Sequence, residues 1–565
     1  MKSPRLQQAL FVTLLSSCIL TSYAWDEYLN IYNNSNEPLN YSASPVKSSG
    51  ITPNHAVVIP PYSKLNVKVK DGTLSFFERW QSKGVISLSS EHGGTVTVNY
   101  HGWANYHSLE LKNKTKNSNA NVQLFTDSRK MCDGPINCII VSPNMDWVKQ
   151  TLQLQNAMNR YEPLNNQQQV STHNSYISSA YGKTYGIDPN QKIKISEQLE
   201  AGVTALEIDL HYAITRDDIL LCHGHPRFGL PAPAIGCAPW DDKLSEGLQE
   251  ISRWMEQKLK TNSNLFITLY LDASLAGHVK MADSIFQREL GQYIFSRQDL
   301  ANYLQKQGLS PSSALPADRL TQQDILAVQK HILIVTKGRE FENSRFVFDR
   351  TTSGIDFPYD RGVSAVDDAT FGAHIFNKDV NHTSLWRLYE DQTAISDQDR
   401  YVNVFNIAKI MPWRVNWISM DKLTSNDSRL ASLVWSWDID FPLATSNNNA
   451  KPYAVLVKDR QRLQNGIDVA TQPVSVLCHD ETQAIKEGWV VTRATHLNTS
   501  DLVNSAEQMC QQNFGPSFRF AAPVNSYSMA PAVQAAANAD RVLVNNIYED
   551  GQWVVNQKRG LTLVK

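Results

Sequence analysis

Beyond its first 24 residues, this 565-residue chain has no apolar run of the roughly 20 residues that a membrane-crossing helix requires. It has no excess of either charge. Fifty-three Lys and Arg stand against 55 Asp and Glu, a net charge of −2, so nothing favours holding nucleic acid by its phosphates. Internal repeats and low-complexity tracts are also missing, which excludes solenoids and long disordered tails. Cysteine is scarce, at seven residues. Aromatic residues are not: 13 Trp and 21 Tyr suit core packing first, and glycan or lipid-interface contacts second. Composition is otherwise that of a globular protein, 42% apolar and 19% charged, and the length implies two to four domains.

The N-terminus has the layout of an export signal. Lys2 and Arg5 precede an apolar stretch from Ala9 to Leu20, and Ser22-Tyr23-Ala24 offers a cleavage site after Ala24. Residues 1–24 are therefore expected to be a signal peptide and the protein to be secreted, periplasmic or extracellular. The competing arrangement is lipid attachment at Cys18, after Leu15-Ser16-Ser17. Without Cys18 six cysteines remain, an even number that in an exported chain implies disulfides. Neighbour pairing, 132–138, 222–237 and 478–510, is the simplest of the possible connectivities.

Three regions follow. Residues 25–145 alternate apolar and polar side chains between Gly, Asn and Pro, as in "HAVVIPPYSKLNVKVKDG" and "GVISLSSEHGGTVTVNYHG". They predict a β-sandwich of about seven or eight strands with an accessory role, open to a glycan or lipid. Residues 150–450 alternate strand-like runs ("VTALEIDL", "ILLCHG", "NLFITLYLD", "HILIVTK", "YVNVFNI", "RVNWISMD", "SLVWSWDID") with helical ones. In "SEQLEAG", Ser196 reads as the N-cap and Gly202 as the stop. "KLSEGLQEISRWMEQKL" puts Leu244, Leu248, Ile251, Met255 and Leu259 on one face. The alternation predicts a (β/α)8 TIM-type barrel with its chemistry at the C-terminal strand ends. Residues 451–565 read as a small mixed α+β domain or an elaboration of the barrel, with a helix near 500–512.

The strand ends carry unusual residues. The first gives His173 and Asn174 in "STHNSY", the second Glu207 and Asp209 in "LEID", the next His223 in "LLCHG", and "NLFITLYLD" ends in Asp272. Glu207 and Asp209 share one face of their strand, while Leu206, Ile208 and Leu210 share the other. Two acids facing a barrel interior are costly unless paired or bound to a cation. Asn174, Glu207, Asp209 and Asp272 offer only oxygen, which suits Ca²⁺ first and Mg²⁺ second; zinc would want more His or Cys. His173 and His223 are left for acid–base work. His211 and His225 read as structural.

In this order, "STHNSY", "ISEQLEAGVTALEIDLH" and "ILLCHGH" resemble the X region of phosphatidylinositol-specific phospholipase C and the PLC-like phosphodiesterases, over about Val170 to Ala273. The resemblance implies that His173 contacts the phosphoryl transition state. It implies that Asn174, Glu207, Asp209 and Asp272 bind calcium and that His223 protonates the leaving diacylglycerol oxygen. A phospholipid membrane surface is the implied partner. Asp272 stands where calcium-dependent members often have Glu. Metal-independent bacterial members have Asp and Arg where this chain has Asn174 and Asp209. Lys337 lies near a ring-phosphate position, with Val335 at another, and Arg414, Trp417, Asp421, Trp435 and Trp437 are candidate pocket residues on later strands. The competing functions are a glycerophosphodiesterase or sphingomyelinase-like enzyme, which usually has Arg after the first His, and a non-enzymatic membrane- or glycan-binding protein on a barrel scaffold.

Overall fold

The structure is a computed structural model. It describes residues 26–46, 50–70, 81–103, 108–116, 118–126, 128–132, 135, 137–182, 189–223, 237–238, 240–310, 315–349, 361–362, 385–392, 401–413, 415–443, 452–466, 468–469, 471–549 and 552–555. The expected signal peptide, Cys18, His225 and Arg414 lie outside the described residues. The chain divides into two compact units, Met1–Asn144 and Met145–Lys565.

The first unit contains two five-stranded sheets. One has Gly50–Thr52, Ser63–Lys70, Asp26–Asn33, Asn137–Ser142 and Asn121–Phe125 in that order. The other has Val57–Ile59, Leu39–Val46, Gln81–Ser90, Gly94–Trp103 and Ser108–Asn113. Alternate residues of both, among them Leu29, Ile31, Val67, Leu39, Ile86 and Val98, share one buried cluster. The β-sheet reading of this region holds, with more strands than expected. Asn137–Ser142 pairs in parallel with Asp26–Asn33, a long-range pairing that no local turn announces.

The second unit is built on a curled sheet of eight parallel strands. Across it lie Val347–Phe348, Ile332–Thr336, Ile267–Ser274, Ala205–Ala213, Gln169–Thr172, Trp417–Met420, Arg387–Tyr389 and Arg361–Gly362. From Gln169–Thr172 outward in one direction the strands run up the chain, and in the other direction down it. This is TIM-like order, and among the described residues no ladder joins Val347–Phe348 to Arg361–Gly362. Leu206, Ile208 and Leu210 face the same apolar cluster as helix Leu244–Lys258, which contributes Leu244, Leu248, Ile251 and Met255. Each such side chain contributes about 1.5–3 kcal/mol by leaving water. Residues 453–555 add a further sheet to this unit, centred on Tyr453–Val457, Arg541–Glu549 and Ser475–Asp480, with helix Leu502–Phe514 beside it. Leu456, Leu477 and Val542 belong to the same cluster as the parallel strands.

Several local expectations are corrected. "YVNVFNI" contains a helix, Val404–Ile410: the Asn403 side chain accepts from the Phe405 and Asn406 amides, and Val404, Ile407 and Ile410 are buried at helical spacing. "SLVWSWDID" is not a strand. It follows the short helix Arg429–Ser432 and makes one bridge, Trp437 to Leu463. Asp218–Leu221 pairs antiparallel with the Ala205–Ala213 strand instead of joining the parallel sequence. Helix Ile195–Glu200 starts after Lys194, not Ser196, because Glu197 reaches back to the Lys194 amide at 2.8 Å. Gly202 does end it, at φ +97°, where a β-carbon would also crowd Leu152. The cysteines join as 132–138, 222–237 and 478–510. Among the described residues no helix is long and apolar enough to cross a membrane.

Candidate active site

The strand Gln169–Thr172 lies between its two neighbours with Thr172 opposite Met420 on one side and Leu206 on the other. Chains leaving the sheet after Thr172 and Met420 therefore emerge side by side and bring His173 against Asp421. His173 Nδ1 is 3.1 Å from Asp421 Oδ1. Asp421 also accepts from Asn190 Nδ2, at 3.0 and 3.1 Å, and from the Gln392 amide at 2.8 Å. Gln191 Nε2 clamps the two chain exits together by donating to the His173 and Met420 carbonyls.

The hydroxyls of the "STHNSY" stretch are spent on structure. Ser171 bonds Ser419, Thr172 bonds Gln198 and Ser175, Ser175 accepts the Glu207 amide, and the Tyr176 hydroxyl donates to Asp242. Asn174 sits at φ +44°, a left-handed conformation that Asn tolerates better than most residues. That turn aims its backbone N–H at Glu207 Oε2, 2.9 Å away.

Pleating does the rest. Asp209 and Asp272 are register partners on adjacent parallel strands, and Glu207 is two residues before Asp209 on the same face. Carboxylate oxygens of Glu207, Asp209 and Asp272 lie within 4.8 Å of one another. Glu207 and Asp209 are each only 3% exposed. Burial pushes Asp209 up to about 6, against the pull of His223, whose Nδ1 is 3.1 Å from Asp209 Oδ2. His223 is itself raised: burial works against its charge, and Asp209 outweighs burial. Burial likewise opposes charge on His173, but Asp421 and Glu207 lift it to about 9. These carboxylates favour the charged form of His173, whose Nε2 is 3.8 Å from Glu207.

A second cation stands in this cluster. Arg387, 3% exposed, donates from Nη2 to Glu207 and from Nε to Ser419 Oγ. Its guanidinium lies over the rings of Tyr270 and Tyr389, at 4.6 and 5.1 Å. Tyr389 in turn packs on His173, centroids 5.1 Å apart. Behind Asp421 lies a buried ionic layer. Arg429 bonds Glu390, Asp427 and the Asp421 carbonyl, and Glu390 accepts the Asp421 amide at 2.7 Å. Burial carries Glu390 up to about 7 although Arg429 opposes it.

Six predicted residues, His173, Asn174, Glu207, Asp209, His223 and Asp272, thus meet at one end of the parallel sheet. Lys337 is exposed just past the strand Ile332–Thr336. Trp417 is not at the mouth. It begins its strand opposite Gln169 and donates its indole N–H to Gln169 Oε1, so it belongs to the opposite end of the sheet. Trp437 is buried against Trp553. Arg387, Tyr389, Asn190, Gln191, Glu390 and Arg429 went unread in the sequence. The strand carrying Arg387 and Tyr389 has three residues, too few for a period to register.

The carboxylate cluster is compatible with a metal ion. Asp209 Oδ1 is buried and has no hydrogen-bond partner among the described residues, and the donors are all hard oxygen.

This arrangement and a family match together support a PI-PLC-like phosphodiesterase superfamily for this part of the chain. Residues 142–403 match the family described as the Rv2075c PI-PLC-like domain. Two Mycobacterium tuberculosis proteins, described as Uncharacterized protein Rv2075c and Uncharacterized protein MT2135, are each 26% identical over 324 residues, 53% of this chain. The chain spans 62% of the length of these curated relatives. Among solved structures, the phosphatidylinositol-specific phospholipase C of Listeria monocytogenes is 17% identical with a TM-score of 0.32, over 50% of this chain and 97% of that one. A calcium-dependent phosphoinositol-specific phospholipase C from a Pseudomonas species is 16% identical with a TM-score of 0.28, over 49% and 95%.

Proposed function

We propose that the protein is an exported phosphoric diester hydrolase that cleaves phosphatidylinositol or a similar phospholipid. The observation that carries this reading is the pair of carboxylate-bound histidines, His173 on Asp421 and His223 on Asp209, flanking one acidic cluster. The imidazolium of His173 and the guanidinium of Arg387 face the phosphoryl oxygens and stabilise the charge that grows on them. One of the site carboxylates accepts the proton of the inositol 2-hydroxyl as its oxygen bonds to phosphorus. His223 gives its proton to the diacylglycerol oxygen as the phosphorus–oxygen bond to it breaks. The product is a cyclic phosphate, which water then opens. Asn174, Glu207, Asp209 and Asp272 are the proposed ligands of a Ca²⁺ ion, which when bound adds positive charge beside the phosphate and lowers the pKa of the attacking hydroxyl. Three disulfides support an oxidising compartment.

The test is phosphatidylinositol hydrolysis by the full chain with Ca²⁺, with chelator, and in His173→Ala. The expected result is activity that needs Ca²⁺ and falls about 10²–10⁴-fold in the variant. Folded protein without activity in either condition would remove phosphatidylinositol as the substrate. Activity that survives chelation would remove the metal and leave Arg387 as the phosphate's fixed counter-charge.

A further inference from the structure

The opposite end of the parallel sheet holds a cavity of about 430 Å³, within the range of small-molecule sites. Its position follows from three of its residues. Gln169 begins the first strand, and Thr204 and Phe266 immediately precede the strands that carry Glu207 and Asp272. Glu207 and Asp209 lie three and five residues beyond Thr204, and Asp272 six beyond Phe266, so strand residues separate the cavity from the acidic cluster. Its remaining walls come from helix Met145–Asn159, the turn before Phe266, and the hairpin of Arg541–Glu549 with Gln552–Val555.

The wall chemistry is distinctive. Seventeen residues line the cavity, and none is Asp, Glu, Lys, Arg or His. At the chain-wide 19% charged residues, a wall of that size would carry about three. Seven of the seventeen bear side-chain amides, of which Gln169 is already bonded to Thr268 and Trp417, and Gln322 to Gln167. Gln150, Gln153 and Asn156 form a row at three-residue spacing on one helix, so they share one face of it. Facing aromatics come from the hairpin, where Tyr548 and Trp553 are cross-strand partners with ring centroids 5.6 Å apart. Trp553 is braced from behind by Trp437, 4.7 Å away.

These features narrow the occupant from both sides. A charged ligand would lose its hydration and find no countercharge in the wall. A purely apolar one would strip water from the amides and give nothing back. Amides both donate and accept, as hydroxyls do, and the aromatic rings suit an apolar ring face. We infer that this cavity binds a neutral sugar unit, a glycan site remote from the acidic cluster and independent of the reaction proposed above. It would hold the protein on a glycan-bearing surface.

The test is saturation-transfer NMR on the full chain with N-acetylglucosamine and methyl α-mannopyranoside, and with glucose 6-phosphate as the charged counterpart. Each is repeated in Gln153→Ala/Asn156→Leu and in His173→Ala. Gln153 is exposed, and Asn156 Nδ2 is buried without a hydrogen-bond partner among the described residues, so the double change spares the fold. The expected result is transfer to a neutral sugar, at least tenfold weaker binding in the double variant, unchanged binding in His173→Ala, and no displacement by glucose 6-phosphate. The inference is overturned by no transfer to either neutral sugar, by binding that the double variant leaves intact, by loss of binding in His173→Ala, or by preference for the phosphate.

Discussion

Asp421 holds His173 from one side while Glu207 draws its other nitrogen, so the imidazole is fixed in orientation and kept charged. Asp421→Asn keeps the size of that side chain and removes its charge. Phosphatidylinositol hydrolysis is expected to fall about 10²–10⁴-fold, with circular dichroism unchanged. His223 gives a pH dependence. As the proposed proton donor it would act only when protonated, so activity would be present below its pKa and lost as pH rises through it. Because Asp209 raises that pKa, the alkaline limb of kcat/KM is expected above pH ~6.5, the ordinary histidine value, and a limb below it would remove His223 as the acid. Arg387 bears on stability. It is buried on Glu207, and Arg387→Met would strand that carboxylate, at a cost of about 3–5 kcal/mol in urea unfolding.

Whole elements, not single side chains, decide how much of this could be read beforehand. The first half of the parallel sheet was legible because its strands are long enough to show a period, and because "STHNSY", "LEID" and "LLCHG" fall within about fifty residues of one another. The second half has described strands of two or three residues, Val347–Phe348, Arg361–Gly362 and Arg387–Tyr389, beside Trp417–Met420, which "RVNWISMD" does announce. Such strands present no alternation, and their helices compete with them, as "YVNVFNI" did: β-branched composition suggested a strand, and the Asn403 cap decided for a helix. Local sequence marks Asp421 only as a pocket residue, since nothing near it in the chain ties it to His173. In the first unit an element-level prediction rests on Glu37, buried at the strand-to-strand turn where His92 bonds it through ring and amide, at 2.9 and 3.2 Å. Burial would raise its pKa, but the bonds from Ser90 and His92 lower it overall. A depressed carboxylate stabilises the fold above its unfolded value near 4.5, and that contribution is lost as pH falls through the folded one. Hydrogen-exchange protection factors in strands 81–90 and 94–103 should therefore fall below about pH 4.5 in the wild type, and already at neutral pH in Glu37→Ala, whereas equal acid sensitivity in both would remove Glu37 from this role.

At the scale of the molecule the disulfides staple locally, and the span of each loop ranks them. Cys478–Cys510 spans 32 residues and should contribute ~3–4 kcal/mol by restricting the unfolded chain, against ~2 kcal/mol for the six-residue span of Cys132–Cys138. Mild reduction should then lower the melting temperature chiefly through loss of the 478–510 bridge, seen by comparing Cys478→Ala/Cys510→Ala with Cys132→Ala/Cys138→Ala. The pairing of Gln169–Thr172 with Trp417–Met420 reaches further. Sequence neighbours provide the carboxylates, but the partner that orients His173 arrives some 248 residues later. A nascent or clipped chain ending before Trp417 would possess every acid of the cluster and still hold a loose imidazole. The polypeptide is in that sense its own safety catch: the acids gather early, and the site arms itself only when the last strand of the sheet docks beside the first.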